Sequence, residues 1–311
     1  MFKRLSKPSQ CLCLVLLAAL IGCTNRDTKK TSIAILTPAT HPSLEQIEKG
    51  FKETLEANSP GKFQFVTYNA QGNKTLMRGE VEEIAQKKPA LVFTIGTACS
   101  QMTTEVLSKK GLSTPVVFAA VSNPVGFQMA QSKDHATGVT EMADYQKEIE
   151  LMLSYKPSIQ KVLLVFNPME PGLMSEVETV STILQEKNIE LITVEVFKTN
   201  EFMAKVTPFM NDADIMLVLK DNTTVGGLDI LAKLCNQFHV PLMASDLDSP
   251  DRGAALGYGV HEIEFGIEGG KKALQILHDR KAPNTIPVTA VTHFTHKINR
   301  DAMVAQGLLL P

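Results

Sequence analysis

Short, continuously apolar runs alternate with longer amphipathic ones along this chain, and that rhythm restricts its architecture more than any other feature. Ser32–Leu36 (SIAIL), Ala90–Ile95 (ALVFTI), Val116–Val121, Lys161–Phe166 (KVLLVF) and Ile215–Leu219 (IMLVL) are apolar at nearly every position. A strand apolar on both sides must be covered on both sides, the condition of a parallel sheet inside an α/β layer. Phe63–Tyr68, Glu190–Val196 and Val240–Ala244 complete the strand set. Ser43–Ala57, Leu76–Gln86, Gln101–Lys109, Gln146–Ser154, Ser175–Glu186, Met203–Met210 and Leu228–Gln237 read as the covering helices.

The plan runs twice, on either side of Pro115–Glu141 (PVVFAAVSNPVGFQMAQSKDHATGVTE). That stretch begins as a buried strand, reaches the polar turn Ser122-Asn123-Pro124, and leaves through a short strand, Gly138-Val139-Thr140. Open α/β sheets place ligand-contacting loops at the carboxyl ends of such strands. The stretch is therefore the expected floor of a cleft and the first crossing between two lobes. The tail departs from the plan: Ala254–Tyr258 is short and apolar, Glu262–His278 is one long helix, and Val288–Phe294 is a final strand. Such a tail suits a chain that returns to the first lobe and crosses again. The expectation is an α/β protein of two Rossmann-like lobes with parallel sheets, joined by a three-crossing hinge. Lobe 1 comprises residues 32–138 plus 259–283, and lobe 2 residues 139–258 plus 284–311.

Residues 1–23 stand outside that plan. Lys3, Arg4 and Lys7 precede an apolar segment, Cys11–Ile21, of signal-peptide length and too short to span a bilayer. Leu20-Ile21-Gly22-Cys23 resembles a bacterial lipobox, which requires cysteine because its thiol is diacylated before cleavage. Two or three palmitate-type chains on Cys23 would anchor the protein stably, and 24–31 (TNRDTKKT) would serve as a polar tether. The expected location is the cell envelope, lipid-anchored and facing the periplasm or the exterior. A net charge of −2 gives no basic face for nucleic acid. Cys99 and Cys235 remain in the folded part, in different halves, with no Cys/His spacing for a metal and no cofactor motif. No nucleophile elbow or matched base points to an enzyme.

The loops after the strands carry the polar residues. After the first-half strands come Thr37–Pro42, Asn69–Asn73, Gly96-Thr97-Ala98 and Ser122-Asn123-Pro124. In the second half come Asn167–Glu170, Asp221–Thr224 and Ser245–Ser249. Any one of these is an ordinary cap or turn residue; together they converge on one edge. Helix N-termini there offer free N–H groups to a carboxylate. Acidic loops on one lobe facing hydroxyl-rich loops on the other suit a zwitterion.

At these loops the chain resembles the tryptophan/tyrosine-type substrate-binding lipoproteins of bacterial ABC transporters, which have the type I periplasmic fold. The matching stretches are His41–Leu44, Tyr68–Gly72, Ala120–Gly126, Gly138–Thr140, Asn167-Pro168, Asp221-Asn222-Thr223, Ala244-Ser245-Asp246 and Tyr258-Gly259. Asn123-Pro124 departs from the family's usual Asp-Pro, and Met169 from its glycine. The resemblance implies a small amino acid-like ligand, tryptophan or tyrosine in some members, held between lobes that close about a hinge. It also implies a permease and an ATPase as partners. A ligand-binding sensor or adhesin lipoprotein without a transporter is the alternative. By position, Thr97 and Ser122 are candidates for the carboxylate, and Asp246 and Asn222 for the ammonium, with Ser245 beside Asp246 a further ligand-binding candidate. Thr40, Gln71 and Asn123 would line the side-chain pocket. With no tryptophan in the chain, Phe118, Phe127, Tyr68 and Tyr258 are the rings available to stack.

Overall fold

Each predicted apolar run becomes a strand whose alternate residues enter different cores. The structure, a computed structural model, describes residues 30–122 and 135–308 together with Met1 and Gln128. The first sheet is built from β1 (Thr31–Thr37), β2 (Phe63–Asn69), β3 (Leu91–Ile95), β4 (Val116–Ser122), β5 (Ala136–Glu141) and a distant β11 (Thr289–Ala290). Its order is β11-β5-β4-β3-β1-β2, and every pairing is parallel. The second sheet contains β6 (Lys161–Phe166), β7 (Glu190–Glu195), β8 (Ile215–Val218), β9 (Leu242–Ala244), β10 (Leu256–Gly259) and β12 (Thr295–Ile298). Its order is β12-β10-β9-β8-β6-β7, parallel except where β12 runs against β10.

Helices α1 (Pro42–Asn58), α2 (Lys74–Lys87) and α3 (Thr97–Lys109) follow the first three strands. The second sheet is accompanied by α4 (Tyr145–Tyr155), α5 (Leu173–Glu186), α6 (Phe202–Val206), α7 (Asn222–Gly226) and α8 (Leu228–Phe238). The tail supplies α9 (Glu262–Leu277) and α10 (Arg300–Ala305). The period-two alternation of a strand is visible in the packing. Ile33 and Ile35 join Phe51, Phe93 and Phe265 on one side of the first sheet, whereas Ala34 and Leu36 join Val81, Ile84 and Cys99 on the other. Val162 and Leu164 separate from Leu163 and Val165 in the same way in the second sheet. Cys99 and Cys235 are buried and free.

The lobes are discontinuous, with chain boundaries that differ from the expectation. Residues 139–141 belong to the first sheet, because β5 pairs with both β4 and β11. The physical reason is Val139, fully buried in the first core. The first crossing therefore follows Glu141. The predicted single strand Val288–Phe294 is two strands instead, β11 on the first sheet and β12 on the second, and the last crossing lies between them. Val291 still anchors in the first core while Thr292 and His293 are exposed, so the apolar pattern cannot continue as one strand. Thr31, assigned to the tether, opens β1 opposite Phe63. The signal segment, Cys23, residues 24–29, Asn123 and Phe127 lie outside the described residues.

Helix α9 is the tail's contribution to the first lobe, and it lies on α1 at backbone contact. A methyl group built on Gly266 would stand 2.0 Å from the Ile47 carbonyl oxygen, and one on Gly50 would stand 2.4 Å from that of Ile263. Glycine is needed on both surfaces for the axes to come so close.

Candidate functional site

The carboxyl ends of the two sheets face one another across a cavity of about 90 Å³. Gly96, at φ +80°, turns the chain from β3 into α3. That turn sets Thr97 at the cavity wall, where its Oγ1 accepts the Ser122 N–H at 3.0 Å. The first N–H groups of α3 have no acceptor within the helix, so this wall presents donors. The opposite wall is acidic: Glu170, Glu176, Asp221 and Asp246 all line it.

The sequence candidates divide into three groups. Thr97, Ser122, Asn222 and Asp246 line this cavity together. Ser245 lines an adjoining chamber of about 470 Å³ on the side of the crossings, which shares Ser122, Glu141, Glu176 and Lys220 with the first. Thr40 and Gln71 are exposed at the outer mouth, where Thr40 accepts from the Asn69 side chain at 2.6 Å. Of the rings named in advance, Phe118 and Tyr68 are buried in the first lobe's core. Tyr258 lines the chamber, stacked on Phe294 with centroids 5.6 Å apart.

Asp246 and Asn222 have their polar atoms largely engaged. The Asp246 carboxylate accepts the N–H groups of Asp248 (2.8 Å) and Ser249 (2.6 Å) and the Ser249 hydroxyl (2.6 Å), so it holds its own turn. Asn222 donates to Glu170 Oε2 at 3.0 Å, and its Oδ1 lies 3.3 Å from His41 Nε2. His41 precedes α1 in the first lobe, so this pair bridges the cleft. Burial lowers the His41 pKa despite the Asn222 bond, which keeps the ring neutral and makes Nε2–H the donor.

Sequence reading missed Lys220 and the glutamates around it. Lys220, just after β8, reaches Glu141 Oε1 and Glu262 Oε1, each at 2.6 Å. Glu141 ends β5 and Glu262 opens α9, so one ammonium ties the second sheet to both early crossings. Burial opposes charge on Lys220, but the two carboxylates more than offset it and push its pKa up. Glu148 of α4, 2% exposed, faces the Ser245 hydroxyl at 2.8 and 3.0 Å, and burial raises it to about 8. Glu176 of α5 accepts from the Tyr145 hydroxyl, and burial raises it to about 7; Asp221, capping α7, is raised by burial to about 6. These acids read as helix faces or caps. The one sequence signal was Lys220 itself, a lysine directly continuing a fully apolar strand.

The raised carboxylates give a pH dependence of stability. A group held above its unfolded value stabilises the fold below that value, and loses the contribution as pH rises through its folded pKa. Glu148, Glu176 and Asp221 therefore predict a thermal midpoint that climbs as pH falls from above 8 to about 5. Neutral His41 opposes this only below its ordinary pKa of 6.5. Differential scanning fluorimetry at half-unit steps would check it. A midpoint flat between pH 6 and 8 would mean that these acids are not buried as described.

A family model described as ABC transporter substrate binding protein matches residues 32–311. A tyrosine-binding protein of Clostridioides difficile is 24% identical over 287 residues, covering 90% of this chain and 82% of its own. The ABC domain from Streptococcus pneumonia in complex with L-Trp superposes at TM-score 0.82 with 21% identity, covering 91% of this chain and 96% of that one. The ligand-free, open form of CD0873 from Clostridium difficile, a substrate binding protein with adhesive properties, reaches 0.65, also at 21% identity, covering 90% and 96%.

Proposed function

Because this chain belongs to the ABC transporter substrate binding protein family, we propose that it captures a small amino acid-like ligand between its lobes and delivers it to a membrane permease with its ATPase. The observation that carries the reading is the cleft itself, with α3 donors on one wall, carboxylates on the other, and the His41–Asn222 bridge closing across it. The donor wall, with Thr97 and Ser122, takes the carboxylate. The acidic wall takes the ammonium, through Asp246 and through Glu170, held by Asn222. The tyrosine and L-Trp relatives make aromatic amino acids the first compounds to screen. Solute-binding members and neighbours rather than enzymes surround the chain. The lipobox at Cys23 would tether it outside the cytoplasmic membrane. The adhesive properties named for CD0873 favour a second reading, a surface lipoprotein that binds a ligand without feeding a transporter.

Mass spectrometry of the small molecule released on denaturing the purified mature protein tests the reading. An amino acid or close analogue is the expected result. A bound tryptophan would also announce itself by indole emission, since the chain has none of its own. An empty cleft, with no thermal shift from any amino acid, would overturn the proposal; saturation to a hundred times Kd is worth about 2.7 kcal/mol. Asp246→Ala is expected to weaken binding by about 2 kcal/mol or more by leaving an ammonium short of its partner. It should also lower the thermal midpoint, because the turn loses its cap. Isothermal titration with unchanged affinity would remove Asp246 from the ligand set and leave it a structural residue.

A further inference from the structure

The chamber beside the crossings is unlike the smaller cavity it joins. Tyr145, Tyr258 and Phe294 give it aromatic walls, and Glu148 and Glu176 reach it from neighbouring helices α4 and α5. Charge there is unbalanced. Across the two cavities eight carboxylates line the described surface: Glu141, Glu170, Glu176, Asp221, Asp246 and Glu262 in the first, with Asp144 and Glu148 added by the second. Lys220 is the only lysine or arginine among the described lining residues, and it is already taken by Glu141 and Glu262.

Glu148 is the sharper case. The single hydroxyl hydrogen of Ser245 can serve only one of the two carboxylate oxygens it approaches. While Glu148 is ionised, the other oxygen of this carboxylate, only 2% exposed, lacks a donor on the wall of a chamber large enough for a ligand's side chain; burial meets this by holding a proton there, with the pKa raised to about 8. Glu176 likewise receives a hydroxyl, from Tyr145, and no cation. Uncompensated buried carboxylates are costly unless something positive arrives, and the stacked Tyr258–Phe294 pair offers the ring faces that attract such a group.

We infer that the chamber is a subsite for an organic cation at the far end of the ligand, so that the protein selects an amino acid-like molecule with a positively charged side chain. The inference rests on the cleft being the ligand site. The head group occupies the smaller cavity between the α3 donors and the acidic wall, and the ammonium or guanidinium of the tail lies between Glu148 and Glu176 against the aromatic wall. The groups facing Glu148 are Ser245, Asp246, Lys220, Glu176, Tyr145 and Tyr258; those facing Glu176 are Tyr145, Glu141, Lys220 and Asp221. Each set holds two carboxylates against the single Lys220 ammonium. A cationic tail therefore displaces protons from this cluster as it binds, and affinity rises with pH between about 6 and 8.

Titration calorimetry with L-lysine, L-arginine, L-norleucine, L-tyrosine and L-tryptophan tests this, since norleucine matches lysine in shape and lacks the charge. L-Lysine or L-arginine should bind at least tenfold tighter than norleucine and release protons, seen as a buffer-dependent heat. Glu148→Gln and Glu176→Gln should bring the basic amino acid down toward norleucine's affinity while raising the thermal midpoint at pH 8, because a buried charge has gone. Opposite movements of affinity and stability separate a ligand contact from a folding defect. If L-tyrosine or L-tryptophan binds tighter than either basic amino acid, or the variants keep full affinity for lysine, the subsite is overturned and the amino acid-binding reading stands. If none of the five binds, the ligand-cleft reading fails, and the subsite with it.

Discussion

Replacing Lys220 by methionine is expected to lower stability by about 3 to 5 kcal/mol at pH 8, and by much less at pH 5. The methylene stem is preserved, so the effect isolates the charge. At pH 8 the substitution strands Glu141 and Glu262, which now accept salt bridges of 2.6 Å from one ammonium. Burial already holds Glu262 above the ordinary carboxylate range even beside that cation. Without the cation Glu262 takes up a proton more readily, and at pH 5 it enters the fold neutral. Urea titrations at the two pH values would show the difference. An equal loss at both would assign the effect to packing over Phe265, whose ring centroid lies 5.5 Å from the lysine nitrogen. Glu262→Gln in the Lys220→Met background should return part of the stability at pH 8.

Gly266→Ala carries the second large effect, a loss of roughly 3 kcal/mol or more. The added carbon would meet the Ile47 carbonyl oxygen at 2.0 Å and the Phe51 nitrogen at 2.7 Å. Both are backbone atoms of α1, so no side chain can turn aside and the helices themselves must part. Phe51 stacks on Phe93 with centroids 3.8 Å apart, and separation of the helices would open that layer. Gly226 in α7 is the control, with nothing within 4 Å of its added carbon. There alanine should be neutral or stabilise by up to about 1 kcal/mol. Thermal midpoints of the two variants side by side would check both. A Gly266→Ala protein as stable as the parent would mean that α9 does not lie on α1 as described.

The strands were legible because burial on both faces leaves a continuous apolar run, and β1, β3, β4, β6 and β8 each came from such a run. The edge strands that the tail supplies were not legible as separate elements. Two-residue β11 pairs Thr289 and Ala290 with β5, and nothing in two residues distinguishes a strand from a loop. Helix α7 is five residues long and begins at Asn222, which reads equally well as a turn. At the site, the short polar side chains after the strands were found because turn chemistry marks them. Thr97, Ser122, Asn222 and Asp246 do meet at one cavity. Thr40 and Gln71 follow strands too, but lie at the rim. Glu148 and Glu176 escaped because a glutamate on an amphipathic helix normally faces water. Only the approach of the second sheet's loops buries them, and local spacing carries no trace of that approach.

The discontinuous lobes have a consequence for the order of events during synthesis. The first lobe's core is completed by Val260, Phe265, Ala273, Ile276 and Val291, and its sheet by β11. A ribosome that has finished β5 has therefore made most of a lobe that still lacks its last helix and its edge strand. The intervening residues belong to the other half, whose own edge, β12, comes later still. Neither lobe can close before its tail segment is made, and pairings so far apart along the chain form slowly. The nascent protein therefore stays unfinished until β11 and β12 have been made.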